Sequence, residues 1–202
     1  MLNRGGGVVD ARWRKLTDDM LVVELLVDVR EAMGANLINT IAEATAPYIH
    51  ELLGQGAIGI RILSNLCTER MTIATFDIPV EKLAWKGAAG EQVAKKILEA
   101  HRFAQVDQYR ATTHNKGIMN GVDAVAVALG QDWRAIESAA HSYASISGKY
   151  SPLSNYKLVD GVFKGRIELP LAVGTKGGAI STNPSCINTL QIMNFPSATE
   201  IA

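Results

Sequence analysis

The sequence predicts an α+β fold, and three observations predict it. A nearly unbroken apolar run, Met20–Val29, gives way at Glu31 to helical spacing. Further along, three stretches repeat apolar residues at steps of three or four, the period of a helix with one buried face. After them, Asp160-Gly161 separates two strand-like runs and is a favoured hairpin turn dipeptide.

In chain order, Asn3–Gly7 reads as a turn and Val8–Leu16 as a short strand. Met20–Val29 is rich in β-branched residues and reads as a strand covered on at least one face. Glu31–Leu53 is a helix with Met33, Leu37, Ile41, Ala44, Tyr48 and Leu52 along one side. Pro47 predicts a kink or break near Thr45–Pro47, and Gly54 and Gly56 end the helix. Ile58–Leu63 returns to a strand, completing a strand–helix–strand unit. Met71–Ile78 is another strand, stopped by Pro79. Ala89–Val106 is an amphipathic helix with Val93, Ile97, Ala100 and Ala104 inward. Asn115–Leu129 and Asp132–Ser147 are two more helices, joined at Gly130. Trp133, Ile136, Ala140 and Tyr143 mark the buried side of the second. Lys157–Leu171 is the hairpin. A glycine-rich loop (Gly174, Gly177, Gly178) then leads into a helix near Pro184–Met193. A shift near Asn65–Met71 from mixed to more helical sequence places the domain boundary there, dividing the chain into residues 1–66 and 67–202. The closing PSATEIA does not read as an ending, and Val8 opens the strand series with nothing upstream to pair with. The chain therefore reads as part of a longer protein.

Composition excludes several classes. Twenty basic and twenty acidic residues leave no net field to draw the chain to nucleic acid or an anionic membrane. No apolar run approaches the ~20 residues of a spanning helix, and MLNRGGG lacks a signal core, which predicts a cytoplasmic protein. Cys67 and Cys186 are far apart and fit no metal or redox spacing, so no metal site is expected.

Chemistry concentrates in Arg110–Arg134, where Lys116 and Asp132 stand sixteen positions apart around a small-residue helical pattern. Lys116 is either an ordinary solvated lysine or an ammonium at the buried end of a helix, where it requires a carboxylate or a substrate anion. The small neighbours Gly117 and Gly121 favour the second reading. Asp132 reads as a helix N-cap, a role compatible with holding that lysine. Asn120, one helical turn beyond Lys116, shares its face. Arg110 is placed to clamp a carboxylate bidentately. Asn65 is a turn residue or a ligand contact. The turn Glu31-Ala32-Met33-Gly34-Ala35-Asn36, at a strand-to-helix junction, is either a packing turn or a phosphate cradle at a helix N-terminus. His114 and His141 read as structural, since neither has a nucleophile or metal partner in sequence.

Read together, VDVREAMGAN, RILSN, YRATTHNKGIMNG, GQDWRA and LAVGTKGGA resemble class II 3-hydroxy-3-methylglutaryl-coenzyme A reductase, in collinear order from about Asn3 to about Met193. The resemblance implies interconversion of a CoA thioester and mevalonate with NADH or NADPH. It implies a homodimer with active sites at the subunit interface, and neither nucleic acid nor membrane as partner. Residues 1–66 would be part of a small ferredoxin-like dinucleotide-binding domain, and 67–202 part of a mostly helical substrate domain. Lys116 would stabilise the oxyanion, Asp132 would polarise that lysine, and Asn120 would join their network. Arg110 would bind the acyl carboxylate, Asn65 would touch substrate or cofactor, and Glu31, Ala32, Met33, Gly34 and Asn36 would meet the dinucleotide. The chain departs from the family pattern in having Glu31 for an aspartate and Asn183 for a histidine. The family's catalytic glutamate and histidine are expected before Met1 and beyond Ala202, so little turnover is expected from this chain alone. The alternative is a non-catalytic nucleotide- or acyl-CoA-binding protein that keeps the reductase surface.

Overall fold

The computed structural model describes Asn3 and residues 5–202. The chain forms two compact units, residues 5–64 with Val173–Ala202, and Asn65–Ala172. The first cut falls beside the expected boundary at 66/67. The C-terminal segment, expected with the second domain, returns to the first unit.

In the first unit, β1 (Gly7–Lys15) and β2 (Leu21–Asp28) pair antiparallel, with a bulge between Val8 and Asp10. The strand with nothing upstream to pair with takes its partner downstream. Helix α1 (Ala35–Leu53) starts later than predicted, because Gly34 at φ 106° forms its N-cap. It runs through Pro47 without breaking, giving up only the helical hydrogen bond that residue cannot donate. Its expected buried stripe is open at the C-terminal half, where Tyr48 is 70 % and Leu52 87 % exposed. Ile58–Leu63, predicted as a strand, joins no sheet among the described residues. It is held along α1 instead, by Leu63 N–H on Asn39 Oδ1 (2.8 Å) and by the Arg61–Glu43 ion pair. Three short helices follow from the C-terminal segment: α5 (Gly178–Thr182), α6 (Pro184–Ile192) and α7 (Ala198–Ile201).

The second unit is a three-stranded antiparallel sheet, in order β3-β5-β4, packed with three helices. Strand β3 is Met71–Pro79, β4 is Ser154–Val159 and β5 is Val162–Pro170. Asp160 and Gly161 both adopt positive φ (51° and 75°), the tight hairpin geometry the dipeptide predicts. Gly165 lies under the Phe76 ring, where an added Cβ would meet ring carbon at 2.2 Å. The helices are α2 (Gly90–Val106), α3 (Gln108–Ala128) and α4 (Trp133–Ala144). The buried side of α2 matches the prediction in part: Ala104 is buried and Ile97 packs against the core as expected, whereas Ala100 is exposed and Ala94 and His101 are buried instead. Trp133 opens α4 on its exposed side, while Ile136 and Ala140 are buried.

A carboxyl pair joins α3 to α4. The Asp123 carboxyl lies beside Glu137, whose Oε2 lies 2.6 Å from His141 Nε2, and His141 Nδ1 lies 2.7 Å from the Tyr150 hydroxyl. Burial first, then the hydrogen bond and charge of Glu137, push the Asp123 carboxyl from 3.8 up to about 6. The folded protein therefore holds a proton between about pH 4 and 6 that the unfolded chain releases. This contribution to stability is complete below pH 4 and falls away as pH rises through about 6. Asp123→Asn cannot ionise. Across that window the melting temperature of the wild type should fall relative to the variant's, and parallel pH profiles would remove the shared proton.

Candidate active site

Asp107 accepts the Arg110 N–H (2.7 Å) and caps α3, so that helix begins at Gln108 rather than at Asn115. Lys116 consequently lies in mid-helix, not at a buried end. Ala111, Asn115, Met119 and Ala126 form the buried side of α3. Lys116 and Asn120 face away from it, one turn apart and exposed. The Lys116 ammonium makes no ion pair or hydrogen bond among the described residues, which corrects the expectation of a buried one. Arg110 is half-buried. At 100° per residue it stands about 120° around the helix from Lys116 and about 9 Å along it.

Asp132 caps α4, its Oδ1 accepting the Ala135 N–H at 3.0 Å. Lys116 lies about 18 Å of helix before the end of α3 at Ala128, and no ion pair or hydrogen bond joins it to Asp132 among the described residues. The expected Lys116–Asp132 contact is thus not formed within one chain. Asn65 is exposed, and its carbonyl accepts the Cys67 N–H at 2.9 Å, as in a turn. His114 Nε2 lies 2.7 Å from Ser154 Oγ, and burial, then Arg110 and His101, push its pKa down. A cleft of about 550 Å³ in this unit is lined by His101, Tyr143, Ser151, Arg166 and Glu168 among others, and by none of the residues predicted to act.

In the first unit, Ala32, Met33 and Gly34 form the turn into α1. No side chain caps this helix at its N-terminus and no acidic residue occupies its first turn, so no carboxylate of its own offsets the positive end of its dipole. Gly34 packs on Val29, where a Cβ would sit 2.9 Å from Val29 Cγ1. Asn36 is exposed and lines a shallow groove along α1 with Asn39, Thr40, Glu43 and Ala44. Glu31 does not face this opening. Its Oε2 accepts the Thr175 hydroxyl (2.7 Å) and the Ala198 N–H (2.8 Å). Asn183, the other departure, caps α6 through the Ser185 N–H at 2.9 Å.

Sequence reading passed over Thr175 and Ala198, which lie 144 and 167 positions from Glu31, beyond any local pattern. Asn115 and the Asp123–Glu137 pair were missed as well. Helical spacing puts Asn115 on the buried side of α3, and that signal would have found it.

Comparison with known proteins accounts for the pattern. A model of the family hydroxymethylglutaryl-coenzyme A reductase matches residues 1–202. The 3-hydroxy-3-methylglutaryl-coenzyme A reductase of Archaeoglobus fulgidus is 44 % identical over 100 % of this chain and 46 % of its own. The probable reductase of Borreliella burgdorferi is 39 % identical over 99 % and 46 %. The class II reductase of Streptococcus pneumoniae, solved bound to NADPH, superposes with TM-score 0.92 at 42 % identity, over 99 % of this chain and 49 % of that one. The chain spans about half the length of these relatives. No helix among the described residues is long and apolar enough to cross a membrane. An exposed lysine and asparagine on one helix face, beside collinear motifs along the whole chain, thus have a family to which they belong: the chain is a member of the hydroxymethylglutaryl-coenzyme A reductase family, class II.

Proposed function

We propose that this chain is the part of a cytoplasmic, homodimeric reductase that presents the oxyanion-stabilising lysine to hydroxymethylglutaryl-CoA and the phosphate cradle to NADH or NADPH. The observation that carries this is the Lys116–Asn120 face of α3, whose ammonium has no partner among the described residues. A charge left exposed on a rigid helix is available to a substrate carbonyl, and the dimer would complete its surroundings. The nicotinamide dinucleotide, when bound, supplies hydride. Lys116 would then hold the oxygen of the thioester carbonyl as negative charge develops there, with Asn120 donating a further hydrogen bond. Asp132 would hold the lysine protonated and oriented, Arg110 would pair with the acyl carboxylate, and Asn65 would touch substrate or cofactor.

The α1 N-terminus suits the dinucleotide: an uncapped 19-residue helix, no first-turn acid, and a turn narrowed by Gly34. Ala32, Met33, Gly34 and Asn36 would hold it, within a unit of ferredoxin-like kind. The separation of Lys116 from Asp132 in the single chain also favours a second reading, a nucleotide- and acyl-CoA-binding protein without turnover. Calorimetric titration of hydroxymethylglutaryl-CoA into the chain tests the site. Lys116→Ala should weaken binding at least about tenfold, the loss of one charge-assisted contact. Equal affinities would remove Lys116 from the site. Oxidation of NADPH or NADH by the full-length protein, followed by absorbance, separates the two readings.

A further inference from the structure

We infer that Glu31 is a positioning residue that fastens the glycine loop at 173–178 and the start of α7 onto the turn proposed to hold the dinucleotide. The inference rests on that proposed cradle and goes beyond it, because Glu31 would act on the ligand only through its neighbours. At least four hydrogen bonds converge on this residue. Its carboxylate Oε2 takes the Thr175 hydroxyl at 2.7 Å and the Ala198 N–H at 2.8 Å. Its carbonyl takes the Thr175 N–H at 2.8 Å and the Lys176 N–H at 3.2 Å.

The backbone shows the same fastening independently. Ala32 and Lys176 form a parallel β-bridge, and Gly174 lies so close that a Cβ on it would stand 2.2 Å from the Met33 nitrogen. Val173, Ile180 and Ala198 are buried beside these contacts, at 3 %, 2 % and 6 % exposure. The turn Ala32–Gly34 is thus held on one side by the segment that Glu31 secures, and on the other it opens into α1. A carboxylate directed at the open helix end would repel a phosphate and cancel the helix dipole. Turned inward, it satisfies the loop and leaves the positive end of α1 clear.

Reach distinguishes this role from simple charge. Aspartate would withdraw the carboxylate by about 1.5 Å, enough to stretch both side-chain bonds past useful length. Glutamine keeps an acceptor oxygen at the same reach without the charge.

Hydrogen exchange by mass spectrometry on the chain, with NADPH and NADH titrations alongside, tests the inference. Glu31→Ala and Glu31→Asp should speed exchange at residues 173–178 and 198–201 about tenfold or more and weaken dinucleotide binding about fivefold, while Glu31→Gln stays close to wild type. Thr175→Val, which deletes one bond, should fall between. Unchanged exchange in Glu31→Ala overturns the inference, as does faster exchange with unchanged dinucleotide affinity. A collapse of affinity in Glu31→Gln matching that in Glu31→Ala also overturns it, since a ligand-facing charge would then explain the loss. If the wild type binds neither dinucleotide, the proposed cradle fails, and the exchange comparison still decides whether Glu31 fastens the loop.

Discussion

Asn115→Ala should destabilise the protein by about 3–5 kcal/mol, read as a lower urea midpoint at unchanged slope. Asn115 is fully buried on α3, and both ends of its amide are used: Nδ2 donates to the Ser151 carbonyl at 3.0 Å, and Oδ1 accepts the Leu153 N–H at 2.9 Å. These two bonds lock α3 to the chain just before β4. Alanine would strand a buried N–H and a partly buried carbonyl, costing about 1–3 kcal/mol each without a partner, the carbonyl at the lower end, and would leave a cavity besides. A domain of this size has only about 5–15 kcal/mol of net stability, so the loss should be visible even at room temperature. A shift below about 1 kcal/mol would mean that water or a relaxed loop replaces the amide.

In the proposed full-length enzyme, Asp132→Asn should cut turnover by about 10²–10³ while changing thioester affinity and thermal stability little. The structure makes this substitution a clean one. The Asp132 side chain caps α4 on the Ala135 N–H, and asparagine caps helices about as well as aspartate. What asparagine removes is the negative charge proposed to keep Lys116 protonated and oriented in the assembled enzyme. Steady-state assays with matched calorimetry would show the split. Parallel losses in turnover and binding would reduce Asp132 to a substrate-positioning role, and a fall of several degrees in melting temperature would make it a cap alone.

Helix and strand types were largely legible because burial imposes a period that propensity and turn chemistry reinforce. The hairpin at Asp160-Gly161 and the ends of α2 are set by residues adjacent in sequence. Ile58–Leu63 was misread because alternating apolar residues specify an extended chain, whereas a strand also needs a neighbour offering its backbone groups. The start of α3 was misplaced by the polar run before Lys116, which helical Thr112 and Thr113 accommodate by bonding the carbonyls of Gln108 and Tyr109. That shift moved Lys116 from a helix end to an exposed mid-helix face.

The sequence by itself determined the class of secondary elements and, through five collinear motifs, the family. Motifs survive as local strings of residues whose spacing needs no knowledge of packing. Only the tertiary structure decided that Val173–Ala202 folds back onto the first unit, that Glu31 turns inward to Thr175 and Ala198, and that Lys116 and Asp132 stand apart in one chain. Each depends on hydrogen bonds between distant residues or on the rigid length of a helix. Distance along the chain carries no information about either until the backbone is folded.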